Sequence, residues 1–135
     1  MNARVICVAA VVGTLALAGC AKHDAESLRA SFGQQVASIA LVREFQRNGD
    51  TLTFHAPDAT GSDAQWRVHI DSVIVEHNDD KMNPFRGTIT SSWFMNGASI
   101  EAATLGSHLP KGFKEKGISE NSSAVWEGQR RQWNW

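Results

Sequence analysis

Three side chains with the makings of acid–base chemistry alternate along one stretch: Arg67, His69 and Asp71, at i, i+2 and i+4. In an extended chain that spacing projects all three from one face. An imidazole beside a carboxylate is raw material for general acid–base catalysis, although the same pattern is also an ordinary solvated sheet face. A second group, Glu76, His77, Asp79 and Asp80, follows at the end of the segment. Carboxylates can hold Ca²⁺, and His with carboxylates can hold Zn²⁺. The spacing lacks the glycine and distal glutamate of a calcium loop, so a polar turn is the expectation. His23, His55 and His108 stand alone. The chain has no Gly-x-Ser-x-Gly elbow, His-Glu-x-x-His helix, phosphate-cradling glycine loop or GxGxxG fingerprint. The sequence therefore points to no catalytic set and no metal site.

The aromatic residues form a different kind of candidate. There are five Trp, six Phe and no Tyr. Trp126, Trp133 and Trp135 lie beside Arg130 and Arg131, and together they could present an aromatic and cationic binding surface. Trp and Arg are enriched where interfaces concentrate their energy, and ring faces also stack on sugars. The competing reading is that the rings fill the core, since a small domain needs bulky apolar side chains. Core is expected for Trp66, Trp93 and Trp126, and Trp133 leans the same way.

The start of the chain reads as an address. Met1–Arg4 is a short basic segment, and Val5–Ala18 is free of charge. That run falls short of the roughly 20 residues a transmembrane helix needs and has the form of a secretory signal. Leu17-Ala18-Gly19-Cys20 then resembles the lipobox of bacterial lipoproteins. The resemblance implies that the Cys20 thiol receives a diacylglycerol, the chain is cut before Cys20, and the new amine is acylated. Those lipids are the sole cofactor-like groups expected. Ala21 at the next position, rather than Asp, favours outer-membrane sorting facing the periplasm. Of the two cysteines, Cys7 would leave with the signal and Cys20 would be a thioether. None would remain for a disulfide.

Composition sets further bounds. With 135 residues, 13 Lys+Arg and 14 Asp+Glu, the net charge is −1. This excludes a basic nucleic-acid binder. At 42% hydrophobic and 20% charged it is no disordered tail. The organisation expected is a signal peptide over 1–19, a short membrane tether over 20–24, and one periplasmic domain over 25–135.

The elements that must position these residues are legible in part. Asp24 is a plausible N-cap, and Leu28, Phe32 and Val36 recur on one helix face, ending near residues 36–38. Asn48-Gly49 signals a hairpin joining strands 40–47 and 50–55. In that hairpin Phe45 would face Leu52, Arg43 would face Phe54, and Arg47 would face Asp50; a longer helix capped by Gly49 is the alternative. Residues 56–63 form a loop. A strand over 64–77 alternates Trp66, Val68, Ile70 and Ile74 against Arg67, His69 and Asp71, with both faces apolar after Val73. Phe85–Met95 is the next strand, turning at Asn96-Gly97, with Ile89, Trp93, Met95 and Ile100 sharing a face. Residues 101–123 read as a long loop with room for one helical turn. Residues 124–135 close a third hairpin placing Trp126 opposite Trp133. The fold class expected is α+β: an N-terminal helix packed on an antiparallel, hairpin-built sheet of five to seven strands.

These expectations favour a membrane-anchored binding module over an enzyme. Its partner would be a periplasmic protein, with peptidoglycan as another ligand. The concrete version is an inhibitor or immunity protein against a cell-wall-targeting enzyme. The alternative is a structural lipoprotein subunit of an envelope secretion or transport assembly.

Overall fold

The computed structural model describes residues 22–110 and 112–135; the expected signal segment, the lipobox-like stretch and Cys20 lie outside them. Helix α1 spans Ala25–Ala37. The Asp24 carboxylate accepts from the Ser27 amide at 2.8 Å, which satisfies one of the donors a helix start leaves open. Leu28, Phe32 and Val36 are fully buried, the i, i+4, i+8 stripe of a helix lying on a core.

Seven strands follow: β1 Arg43–Asn48, β2 Thr51–Pro57, β3 Asp63–His77, β4 Phe85–Met95, β5 Ala98–Ile100, β6 Asn121–Glu127 and β7 Gln132–Asn134. All pair antiparallel, in the order β1-β2-β3-β4-β6-β7, with β5 added to β4. The α+β expectation holds: one helix leads into a curled antiparallel sheet. On the inner face sit Leu52, Phe54, Trp66, Val68, Ile70, Ile89 and Trp93, all buried. They alternate with exposed or half-exposed residues that turn to the other face. Among the described residues, no helix is long and apolar enough to cross a membrane.

Two hairpins form where expected. Asn96 and Gly97 both take positive φ (52° and 84°), as a type I′ turn requires, with Met95 opposite Ala98 and Trp93 opposite Ile100. Trp126 pairs with Trp133 across the last hairpin. The first hairpin exists in a different register. Asn48 pairs with Thr51, and Arg47 with Leu52, so the tip is Gly49-Asp50 rather than Asn48-Gly49. Gly49 takes the positive φ (61°) at the first tip position, and a bulge between Arg43 and Gln46 shifts the pairing again, so that Arg43 faces His55 rather than Phe54.

Two further differences have local causes. The β3–β4 ladder shifts register between Ile70 and Ser72, leaving Asp71 as an extra residue in β3. A bulge of one residue reverses the alternation beyond it. Ile74, expected on the core face, therefore lies on the outer face, half exposed, and Val73 and Val75 take the inner positions. The segment read as a long loop holds helix α2, Ala102–His108, and a 3₁₀ turn, Lys114–Lys116. Leu105, Leu109, Phe113 and Ile118 from this segment are buried. Phe113 stacks on Phe54 at 5.7 Å and meets Trp93 edge-on at 5.9 Å. The segment therefore covers the part of the inner face beside these rings.

Candidate functional site

The sequence singles out three places, and the fold treats each differently. The Trp and Arg set divides. Trp126 and Trp133 are only 5% and 7% exposed, their rings edge to face at 5.4 Å. This is the core reading expected for Trp126, toward which Trp133 leans. Their neighbours explain the arrangement. The Trp133 indole N–H donates to Ser27 Oγ at 3.0 Å, and the Trp135 indole donates to Ser31 Oγ at 2.8 Å. Ser27 and Ser31 are one helical turn apart on α1, so the last strand clamps the first helix. The Ser27 hydroxyl also meets the Lys22 carbonyl. Arg130 and Arg131 remain exposed in the hairpin loop.

The chain start is docked at the same end. His23 lies flat on Phe85, with centroids 3.8 Å apart and planes 7° from parallel, and meets Trp126 edge-on at 5.8 Å. His77 adds an edge contact to Phe85 at 5.6 Å. Around this stack lies an open pocket of about 460 Å³ lined by Lys22, His23, Asp24, Phe85, Trp126 and Arg131, with Gly128. Its lining combines aromatic rings with two cations and one carboxylate. The carboxylate is committed to the helix N-cap. The described chain thus packs against the folded body from its first residues, Lys22 and His23.

The second place is the outer face of β3. The β3–β4 register sets Arg67 opposite Phe94 and His69 opposite Ser92. The Arg67 guanidinium sits 3.9 Å from the Phe94 ring centroid, a cation–π geometry. The bulge turns Asp71 onto the same face. Its carboxylate accepts from Ser92 Oγ at 2.5 Å and meets His69 Nδ1 at 2.9 Å. The Ser92 hydroxyl, followed by the His69 contact, holds the Asp71 carboxyl below its ordinary range. Sequence reasoning found Arg67, His69 and Asp71 but missed Ser92 and Phe94, which only the strand register supplies.

These residues include the Ser, His and Asp of a hydrolytic relay, in another order. In a relay the imidazole stands between hydroxyl and carboxylate and takes the hydroxyl proton. Here the carboxylate stands in the middle, and the Ser92 proton is spent on it. The arrangement instead fixes the three groups as a rigid, exposed display of donors and acceptors beside Arg67 and Phe94.

The remaining acidic group is built into a turn. Asp80 accepts from the Met82 amide at 2.9 Å and the Asn83 side-chain amide at 3.0 Å. Those bonds, the Asn83 amide foremost, lower its pKa. Glu76, His77 and Asp79 do not join it, and among the described residues no three ligand-type side chains converge on one point. His55 lies 3.8 Å from Asp63. His108 is half-buried at the end of α2.

No protein family matches this chain. No curated protein and no solved structure is significantly similar to it.

Proposed function

We propose that this chain is a lipid-anchored protein of the bacterial envelope, held through acylated Cys20, that binds a periplasmic protein partner with the outer face of its sheet. The observation that carries the reading is the prearranged outer-face cluster. Arg67 is held over Phe94 beside the Ser92–Asp71–His69 network. Arginine stacked on an aromatic ring, rimmed by fixed polar groups, is the composition of an interface centre. Because its bonds are already made, this cluster loses little side-chain freedom on binding.

The anchor reading rests on Leu17-Ala18-Gly19-Cys20 after a charge-free run and is supported by the docked tether. A chain that is packed against Phe85 from His23 onward leaves very little slack between lipid and body. The bound partner would therefore be held close to the membrane surface. An inhibitor held in this way would meet an enzyme that attacks the cell wall from the membrane surface.

Affinity capture from detergent-solubilised membranes, followed by a peptidoglycan-digestion assay, tests this. The expected result is one soluble hydrolase that the wild-type chain captures and inhibits, and that Arg67→Glu releases. Capture of several envelope components, insensitive to Arg67→Glu, would instead favour a structural subunit of an assembly. Retention of the hydrolase by Arg67→Glu would remove the outer face from the account.

A further inference from the structure

Strand β3 has an edge that nothing in the described chain covers. β2 pairs with residues 63–69 of β3, and Ile70 donates to the Asp50 carbonyl at the hairpin tip. There β2 ends. β4 continues to pair with Ser72–His77 on the other side. The β2 side of residues 71–77 is therefore a notch in the sheet.

The ladder shows which backbone groups face it. Ser91 donates to the Glu120 carbonyl, and Ile89 pairs with Ser122 two residues along. Bonding direction alternates along a strand, so Ile89 turns its N–H and C=O toward β6 and away from β3. Val73, opposite Ile89, then turns its own toward the notch, and so does Val75. Among the described residues, no hydrogen bond reaches either backbone from that side. Exposed edges are normally blunted by charge, bulges or shortness. β1 carries Arg43, Glu44 and Arg47 with a bulge, and β7 is three residues long. Between the Asp71 bulge and His77, the notch strand reads Ser-Val-Ile-Val-Glu, without Lys or Pro.

We infer that this edge is a homodimer interface, in which β3 of a second copy pairs antiparallel with β3 about a two-fold axis at Ile74. Three observations select this occupant and register. The unpaired stretch 71–77 is centred on residue 74, so each strand fills the other's notch and stops where the partner's β2 begins. The register opposes Val73 to Val75 of the second copy, both with bonding groups turned outward, which gives four backbone hydrogen bonds. It also sets Ile74, a large apolar side chain left 50% exposed, against its own symmetry mate on the outer face. The flanking Ser72 then faces Glu76, a hydroxyl opposite a carboxylate. Pairing about Val75 would instead set Ile74 against Glu76. The interface is self-complementary, as two-fold contacts must be. An axis perpendicular to the sheet also keeps both chain starts on one side of it. Pairing requires no lipid, so the inference stands independently of the anchor; the register also sets Asp71, a member of the proposed partner-binding face, opposite His77 of the second copy.

Cysteine cross-linking in the full chain tests it. Residues opposed in a non-hydrogen-bonded antiparallel pair have Cα atoms about 4.5 Å apart, within disulfide range. Membranes containing Ile74→Cys, oxidised with copper-phenanthroline, should give a reducible species of twice the monomer mass. Wild type run in parallel accounts for Cys7 and Cys20. Ser123→Cys, exposed on the same face but away from the notch, should give none. As a second measurement, sedimentation of the full chain in detergent should show a dimer that Ile74→Arg shifts at least about tenfold toward monomer, because like charges directly opposed repel. Ile74→Cys remaining monomeric, Ser123→Cys cross-linking equally, or a dimer unaffected by Ile74→Arg would each overturn the inference.

Discussion

Replacing Gly87 with alanine should loosen the joint between helix and sheet. Gly87 lies in β4 directly beneath α1. A Cβ placed there would stand 2.6 and 2.8 Å from the two Leu28 methyls and 3.1 Å from Trp133 Cζ3. Comfortable carbon–carbon contact is about 3.5–4.0 Å, so the shortfall is about 1 Å. Leu28 has no exposed surface into which to swing, and the Trp133 ring closes another side. Overpacking of this kind costs about 1–3 kcal/mol. Leu28→Ala alone should cost about 2–5 kcal/mol, as a buried leucine truncation does. The double variant should be less destabilised than the sum of the two, by about 1–3 kcal/mol, because the new methyl occupies part of the space the leucine leaves. Urea unfolding of the mature chain carrying Cys20→Ala, followed by tryptophan fluorescence, reads all three values. Costs that add to within about 0.5 kcal/mol, or a neutral Gly87→Ala, would refute the close approach of α1 to β4.

Trp133→Ala should cost about 3–5 kcal/mol, a large part of the roughly 5–15 kcal/mol that holds a domain together, and a thermal melt would show it; an unmoved melting temperature would place the ring outside the core. Ser27→Ala, which removes only the hydroxyl bound by that indole, should cost about 0.5–1.5 kcal/mol. Ser92→Ala should raise the Asp71 titration midpoint toward the ordinary 3.8, since the Ser92 hydroxyl is the main cause of its depression. A depressed carboxyl stabilises the fold above its unfolded pKa and loses that contribution as pH falls through its folded value. The stability gap between wild type and Ser92→Ala that arises from this ionisation should therefore close in acid, and NMR titration of the Asp71 carboxyl gives the midpoint directly.

The parts of this fold set by neighbouring residues could be read from the sequence. Asn96-Gly97 supplies two positions that tolerate positive φ between alternating flanks, and the turn forms there. Asp24 and the Leu28, Phe32, Val36 stripe mark α1 for equally local reasons. Asn48-Gly49 carries the same signal, yet the tip is Gly49-Asp50, and the bulge near Glu44 shifts the pairing again, a feature that no local pattern announces. A similar extra residue, Asp71, turned Ile74 outward. Helix α2 reads as no more than one helical turn in a loop because it is short, contains Gly106, and has no side-chain N-cap bond. Its stability comes from burying Leu105 rather than from local preference. The site shows the same division: Arg67, His69 and Asp71 are visible as alternation, while Ser92 and Phe94 join them only through pairing with a strand some twenty residues later. The bond from Trp133 to Ser27 spans 106 residues, and no local pattern in the sequence encodes such a contact.

The claim on which the functional account depends is the anchor at Cys20. Growth of bacteria expressing the full chain with radiolabelled palmitate, followed by immunoprecipitation, measures it directly. The account predicts label on the wild-type protein, a mature form lacking residues 1–19, and neither in Cys20→Ala. Label retained by Cys20→Ala, or absent from wild type, would contradict it.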